Sequence, residues 1–325
     1  MKAVLCKEFG PVEQLVIEEV PSLKAGPGQV VISVKACGIN FPDGLIVQGK
    51  YQTKPPLPFS PGLEVAGVVK ELGEGVTDLK VGQRVIGFPG VGGLAEEVAL
   101  DAWLCFPMPD SMSYADGAGF LITYATSHHA LKPRGHLKAG ETLLVLGAAG
   151  GVGLTAVEIG KVMGAKVIAA ASSDEKLKLT QEYGADEVIN YQTENLRERL
   201  KAITGGKGVD VVYDPVGGEL AEPAVRSLAW LGRFLVIGFA AGDIPRIPLN
   251  LLLLKSSSLV GVYWGAALKA DPKAGRADVA ELLQWYAEGK LKPCISATYA
   301  FDKAAEAILA VTNRQTKGKV VVVME

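Results

Sequence analysis

Residues Thr142–Leu146 are an unbroken apolar run, and the chain then turns through Gly147, Ala148, Ala149, Gly150, Gly151, Val152 and Gly153 into a helical pattern over 152–163. An apolar run of this kind reads as a strand covered on both faces, which belongs in a parallel sheet. A second such strand, Lys166–Ala171, follows about 20 residues on, the setting in which a glycine-rich turn binds a dinucleotide. The glycines recur at threes, not as G-x-G-x-x-G, yet each has a task. Gly147 lets the chain leave the strand in a tight turn. Gly150 and Gly151 clear side chains so that backbone N–H groups can approach a pyrophosphate. Gly153 lets the helix pack close, and the helix N-terminus faces the anion with partial positive charge. All seven residues from Gly147 to Gly153 are expected to hold the cofactor.

The same grammar recurs downstream. Helices are expected over 174–183, 194–204 and 218–228, and strands over 187–190, 209–213 and 233–238, preceded by a helix over 115–131. Strands alternating with helices make a doubly wound parallel sheet, an α/β fold. The first 110 residues differ. Short alternating strands (29–35, 64–72, 83–88) broken by Gly and Pro suit an irregular β-barrel. A helix over 278–289 and a strand over 319–324 close the chain, and that tail reads like the first region. The barrel domain is therefore expected to be discontinuous, 1–122 and 262–325, with a dinucleotide domain of 123–261 inserted.

Composition removes several functions. With 33 basic and 35 acidic residues the formal charge is −2, which gives nucleic acid no electrostatic footing. The four cysteines, at 6, 37, 105 and 294, form no CxxC pair, so neither a structural zinc site nor a disulfide framework is expected. Residues 1–8 lack a signal-type apolar core, and no apolar stretch reaches the length of about 18 residues that spans a membrane. A soluble, cytoplasmic chain is the expectation.

Cofactor choice is read at the end of the second strand, where a carboxylate would accept from the ribose hydroxyls of NAD. Here the sequence runs Ala171-Ser172-Ser173, with no acid before Asp174. Ser172, Ser173 and Lys176 offer donors and a cation that suit a 2′-phosphate, and Tyr191 adds a hydroxyl. NADPH is expected, with Ser173 also capping the next helix.

The segments 36–40 (ACGIN), 61–67 (PGLEVAG), 82–85 (GQRV), 146–153 (LGAAGGVG), 170–177 (AASSDEKL), 183–186 (YGAD) and 237–239 (IGF) occur in an order that resembles the medium-chain dehydrogenase/reductase superfamily, specifically its zinc-free, zeta-crystallin-like quinone oxidoreductase branch. The resemblance covers essentially the whole chain and implies a GroES-like barrel around a Rossmann domain. Zinc-dependent members ligate metal through a Cys and a His where this chain has Asn40 and Leu63, so neither a metal nor zinc-alkoxide chemistry is expected.

What remains by resemblance is NADPH-dependent hydride transfer to a quinone or conjugated carbonyl. Asn40 would lie by the nicotinamide and donate to the substrate oxygen, or else satisfy loop backbone. Tyr51 would line the substrate loop or stand as an exposed ring. Thr126 would contact the nicotinamide, with Thr123 a turn earlier, and Gly238, Phe239 and Ala240 would close over it. Asp43 is expected to be structural, His128 and His129 to be surface residues without a role, and Lys319 to be a solvated strand end before it is a phosphate ligand. In the family the region 249–262 carries the strand through which subunits pair, so a homodimer is expected. Two alternatives stay open: an enoyl-thioester or alkenal reductase, and a non-catalytic NADPH-binding, crystallin-like protein.

Overall fold

The computed structural model describes residues Met1–Met324, and the chain divides into two compact units, 1–122 with 293 onward, and Thr123–Lys292. The first unit begins with the hairpin β1 (Lys2–Leu5) and β2 (Val16–Glu19). There follow β3 (Gln29–Ile39), helix α1 (Phe41–Val47), β4 (Glu64–Leu72), β5 (Arg84–Gly87), β6 (Glu97–Asp101), β7 (Cys105–Pro107) and helix α2 (Tyr114–Ala118). The helix expected over 115–131 is broken after α2, at Gly119, and resumes as α3 (Leu121–His129), which runs on into a π-helical turn, Ala130–Arg134, containing Pro133. A proline removes one backbone donor and crowds the preceding turn, which accounts for the wide winding there.

The second unit carries β8 (Thr142–Leu146), α4 (Gly151–Val162), β9 (Lys166–Ala171), α5 (Asp174–Glu182), β10 (Glu187–Asn190), α6 (Leu196–Ile203), β11 (Val209–Asp214), α7 (Ala221–Arg226), β12 (Leu228–Val236), α8 (Asn250–Leu253), β13 (Ser258–Gly261), α9 (Trp264–Ala270) and α10 (Pro272–Ala287). Its sheet is wholly parallel in the order β10-β9-β8-β11-β12-β13, a Rossmann arrangement. The order reverses between β8 and β11, and in such sheets ligands lie beyond the carboxyl ends at that point. Leu143–Leu146, Val167–Ala171 and Val211–Tyr213 are buried, each large apolar side chain contributing about 1.5–3 kcal/mol. Strand β12 starts five residues before the expected 233, because Leu228 turns into the core at 0% exposure and ends α7 early.

The chain returns to the first unit at Pro293, not at 262 as the sequence suggests. The reason is local bonding. Val262 N donates to Val236 O, Glu281 of α10 pairs with His128 and Lys132, and Lys292 N donates to Glu158. Then come β14 (Ile295–Ala300), α11 (Ala304–Thr312) and β15 (Lys319–Val323). The first unit's main sheet has the order β14-β15-β3-β4-β5-β7, with β6 on β3, and it is antiparallel except for β14 on β15. This is the GroES-like domain, completed by the last strand.

Candidate active site

In the second unit the cradle is built by one β-turn-α passage. Gly147 leaves β8 with φ +58°, a left-handed conformation that a side chain resists. Gly150 caps α4, and the first-turn N–H groups of Gly151, Val152 and Gly153 have no acceptor within the helix. A Cβ on Gly153 would stand 2.2 Å from Gly147 O, so only glycine lets the helix start this close to the strand end. Ala148 N donates to Ala170 O at 3.0 Å, and the buried Ala148 and Ala149 leave the turn without polar bulk. This is an anion cradle of the form that binds a pyrophosphate.

At the end of β9, Ser173 Oγ accepts from Lys176 N at 3.3 Å, and Lys176 Nζ reaches Ser172 Oγ at 3.4 Å. The nearest acid, Asp174, is held by Asn190 Nδ2 at 2.7 Å. Tyr191 N donates to Ala171 O, and the half-buried residue packs against the core on one face of the parallel sheet, so it adjoins the same strand end. Across the sheet, Asp214 accepts from Val216 N and Gly217 N, and burial raises its pKa. The loop of Gly238, Phe239 and Ala240 rests on that turn through Gly238 N to Asp214 O and Ala240 N to Pro215 O. The expected cofactor residues thus gather at the carboxyl ends of β8, β9, β11 and β12.

Thr126 is half-buried on α3. Its neighbour Ser127 is wholly buried and bonds Val152 O (2.9 Å), Thr155 Oγ1 (2.8 Å) and Tyr213 Oη (2.8 Å), which stitches α3 to α4 under the cradle. Burial raises the Tyr213 pKa, against the opposing pull of its bond with Ser127. Sequence reasoning did not find these three residues; a serine, a threonine and a tyrosine in apolar surroundings were the available signal.

In the first unit Asn40 immediately precedes α1 and Tyr51 follows it, half-buried in the next turn. Asn40 is itself buried. Its Nδ2 donates to Glu64 Oε1 at 2.9 Å and to Gly38 O at 3.3 Å, while its Oδ1 accepts from Lys319 Nζ at 2.8 Å. Lys319 is no solvated strand end and no phosphate ligand. It is 5% exposed, with its other contacts to Glu64 Oε1 (2.9 Å) and Ile39 O (2.8 Å). Glu64 Oε2 accepts from Ile122 N at 2.8 Å. Asp43 is structural, accepting from Asn40 N (2.7 Å) and Gly62 N (3.0 Å), and burial pushes its pKa up to about 7. Burial, with the charges of Asp43 and Glu64, also raises the adjacent Cys37 thiol.

Residues 26–110 match the alcohol dehydrogenase GroES-like domain family, and residues 151–288 match the zinc-binding dehydrogenase family. A quinone oxidoreductase-like protein 2 homolog of Nematostella vectensis is 44% identical over 99% of this chain and 88% of that protein. The chain belongs to the medium-chain dehydrogenase/reductase superfamily, in its quinone oxidoreductase branch. An Escherichia coli quinone oxidoreductase, solved complexed with NADPH, superposes with TM-score 0.93 at 30% identity, covering 99% of this chain and 100% of that one. The CurK enoyl reductase has TM-score 0.91 at 27% identity, covering 100% and 99%.

The second family's description implies zinc, and the residues of this chain do not fit that ion. Asn40 is neutral, Leu63 is a core residue, and the carboxylates beside them are engaged, Glu64 by the Lys319 ammonium and Asp43 by the backbone N–H groups of Asn40 and Gly62. A cation brought there would meet another cation. Among the described residues, one group has metal-ligand spacing, His128 with Asp278 and Glu281, and there the Lys132 ammonium lies 2.5 Å from Glu281. His128 itself corrects the expectation of a surface residue. It is wholly buried, with Nε2 2.8 Å from Glu281 Oε2, because the exposed-looking face of α3 is covered by α10. His129 is half-buried, and burial lowers its pKa.

Proposed function

We propose that the chain is a cytoplasmic, zinc-independent, NADPH-dependent reductase of quinones or of carbonyl-conjugated double bonds. The observation that carries the cofactor choice is Asp174 held by Asn190, which leaves Ser172, Ser173 and Lys176 to face the adenosine ribose. A 2′-phosphate meets a cation and hydroxyls there, and the Asp174 carboxylate is turned to the Asn190 amide. When bound, NADPH supplies a hydride from C4 of its nicotinamide, and the acceptor gains that hydride and one proton.

The chain's own groups hold and shield. Gly147, Ala148, Ala149, Gly150, Gly151, Val152 and Gly153 seat the pyrophosphate. Gly238, Phe239 and Ala240 cover the nicotinamide end, with Thr126 beside it and Tyr191 at the adenosine end. Tyr51 packs on a flat acceptor ring. Asn40 donates to the acceptor oxygen by redirecting the N–H that now meets Gly38 O at 3.3 Å, the longest of its bonds.

A homodimer completes the reading. Among the described residues strand β13 has a sheet neighbour only on its β12 side, and Leu259 on it is exposed, as are Leu253 and Leu254 just before it and Trp230 and Leu231 on β12. Edges of this kind pair with a second copy. No described helix is long and apolar enough to cross a membrane.

The test is NADPH oxidation against 1,4-benzoquinone, 9,10-phenanthrenequinone, a simple enal and crotonyl-CoA. Quinone turnover supports the reading. Turnover of crotonyl-CoA alone would move the chain to the enoyl-thioester reductases, and no turnover with any acceptor would leave a non-catalytic NADPH-binding protein. Sedimentation of the Leu259→Arg variant as a monomer, against a dimeric native chain, tests the pairing edge.

A further inference from the structure

The chain buries an ammonium and a carboxylate side by side, Lys319 and Glu64, at 5% and 0% exposure, and both are bonded to the same asparagine. Buried charges stay only where every hydrogen-bonding position is met. That condition holds here. The three N–H bonds of Lys319 go to Ile39 O, Asn40 Oδ1 and Glu64 Oε1, and the Glu64 oxygens accept from Lys319, Asn40 and Ile122.

An asparagine amide is nearly symmetric in shape and opposite in chemistry at its two ends. Turned over, Asn40 would aim its NH2 at an ammonium and its oxygen at a carboxylate, and both contacts would change from attraction to repulsion. We propose that Lys319 and Glu64 are a positioning pair that fixes the Asn40 amide in one orientation and so presents one Nδ2–H to the acceptor oxygen. The charges do this at both ends of the amide, and the bond from Lys319 to Ile39 O fixes the backbone just before it. Asp43 holds the backbone N–H of Asn40 from the other side at 2.7 Å.

The inference rests on the proposed reductase reading for its consequence, and on geometry alone for the orientation. With its donors committed inward, Lys319 has no part in holding NADPH, which separates this role from a phosphate contact.

The test uses the full-length chain and the variant Glu64→Gln/Lys319→Met, which removes both charges together and leaves neither one stranded. NADPH affinity, measured without acceptor, should stay within about two-fold of native, while kcat with the best quinone falls by about ten-fold or more. Asn40→Ala should show a similar fall, and adding it to the double variant should cause no further loss, because the pair acts through Asn40. Losses that multiply, native kcat in the double variant, or NADPH affinity weakened about ten-fold or more would each overturn the proposal.

A measurement on the native protein stands apart from activity and from the folding of any variant. The Asn40 side-chain amide protons, followed by NMR in 15N-labelled protein, should exchange slowly as a single resolved pair. Exchange at the rate of exposed asparagines, or two interconverting pairs, would refute the fixed orientation. A native enzyme that reduces no acceptor would sink the proposed function, while this amide signal would still decide the orientation.

Discussion

The Tyr124 hydroxyl donates to Glu158 Oε2 at 2.5 Å, and the other oxygen of that carboxylate accepts Lys292 N at 2.8 Å. Tyr124 and Lys292 lie at the two ends of the second compact unit, so one side chain on α4 ties down both places where the chain enters and leaves it. Burial pushes the Glu158 pKa up to about 7, against the opposing pull of those two bonds.

The sign of the pH effect follows. Below the unfolded carboxyl value of 4.5 both states are protonated, and up to about 7 the folded state keeps a proton that the unfolded chain has released. Stability from this group is therefore complete at low pH and is lost as pH rises toward 7, with a limiting slope of about 1.4 kcal/mol per pH unit. Glu158→Gln, which does not titrate, should lose less stability than the native chain between pH 5 and 7.5. Urea denaturation at the two pH values checks this, and identical pH slopes in both proteins would remove Glu158 from the account.

Lys176 should decide between the two nicotinamide cofactors. The native chain is expected to bind NADPH about ten-fold or more tightly than NADH, a gap of about 1.4 kcal/mol. Lys176→Ala removes the cation that reaches Ser172 and should narrow the gap mainly by weakening NADPH. Fluorescence titration with each cofactor measures it; equal native affinities would end the 2′-phosphate argument.

These residues show what a sequence exposes and what it hides. The cradle is legible because its contacts are local: Gly153 needs its bareness against Gly147 O, six positions earlier in one β-turn-α passage. Ser173 is legible for the same reason, as a cap three residues from its donor. Lys319 reads as a solvated strand end because its partners Asn40 and Glu64 are 279 and 255 positions away. His128 reads as a surface residue until α10, 153 positions on, brings Glu281 onto it. The late return at Pro293 has the same origin, since Glu158 claims Lys292 from 134 positions back. Periodicity reports which face of an element is apolar; it does not report which distant charge will be folded onto that face.

Gly150 and Gly153 should fail in different ways. A methyl on Gly153 would collide with the backbone at 2.2 Å, while on Gly150 its nearest neighbour is Gly147 O at 3.3 Å. Gly153→Ala should lower stability by about 1–3 kcal/mol or more, through overpacking at the start of α4. Gly150→Ala should leave thermal stability near native and weaken NADPH binding, because the added methyl stands where the pyrophosphate approaches. Melting temperatures and cofactor titrations on the two variants separate the effects; the reverse pattern would mean that the turn binds its ligand elsewhere.

His128 should matter for stability and not for the cofactor. Its ring is wholly buried, packs 5.6 Å from the Trp285 ring, and bonds Glu281 through Nε2, while Nδ1 lies 3.8 Å from Asp278 Oδ1 without a hydrogen-bond partner. His128→Ala opens a cavity between α3 and α10 and removes that bond, which should lower stability by about 2–4 kcal/mol. Glu281 keeps Lys132, so the carboxylate is not stranded and the fold should survive. For the same reason zinc should give no rise in native melting temperature, since the ammonium already holds the carboxylate that a metal would need. NADPH affinity should be unchanged in the variant. A zinc-dependent rise that disappears in His128→Ala would instead make this cluster a metal site.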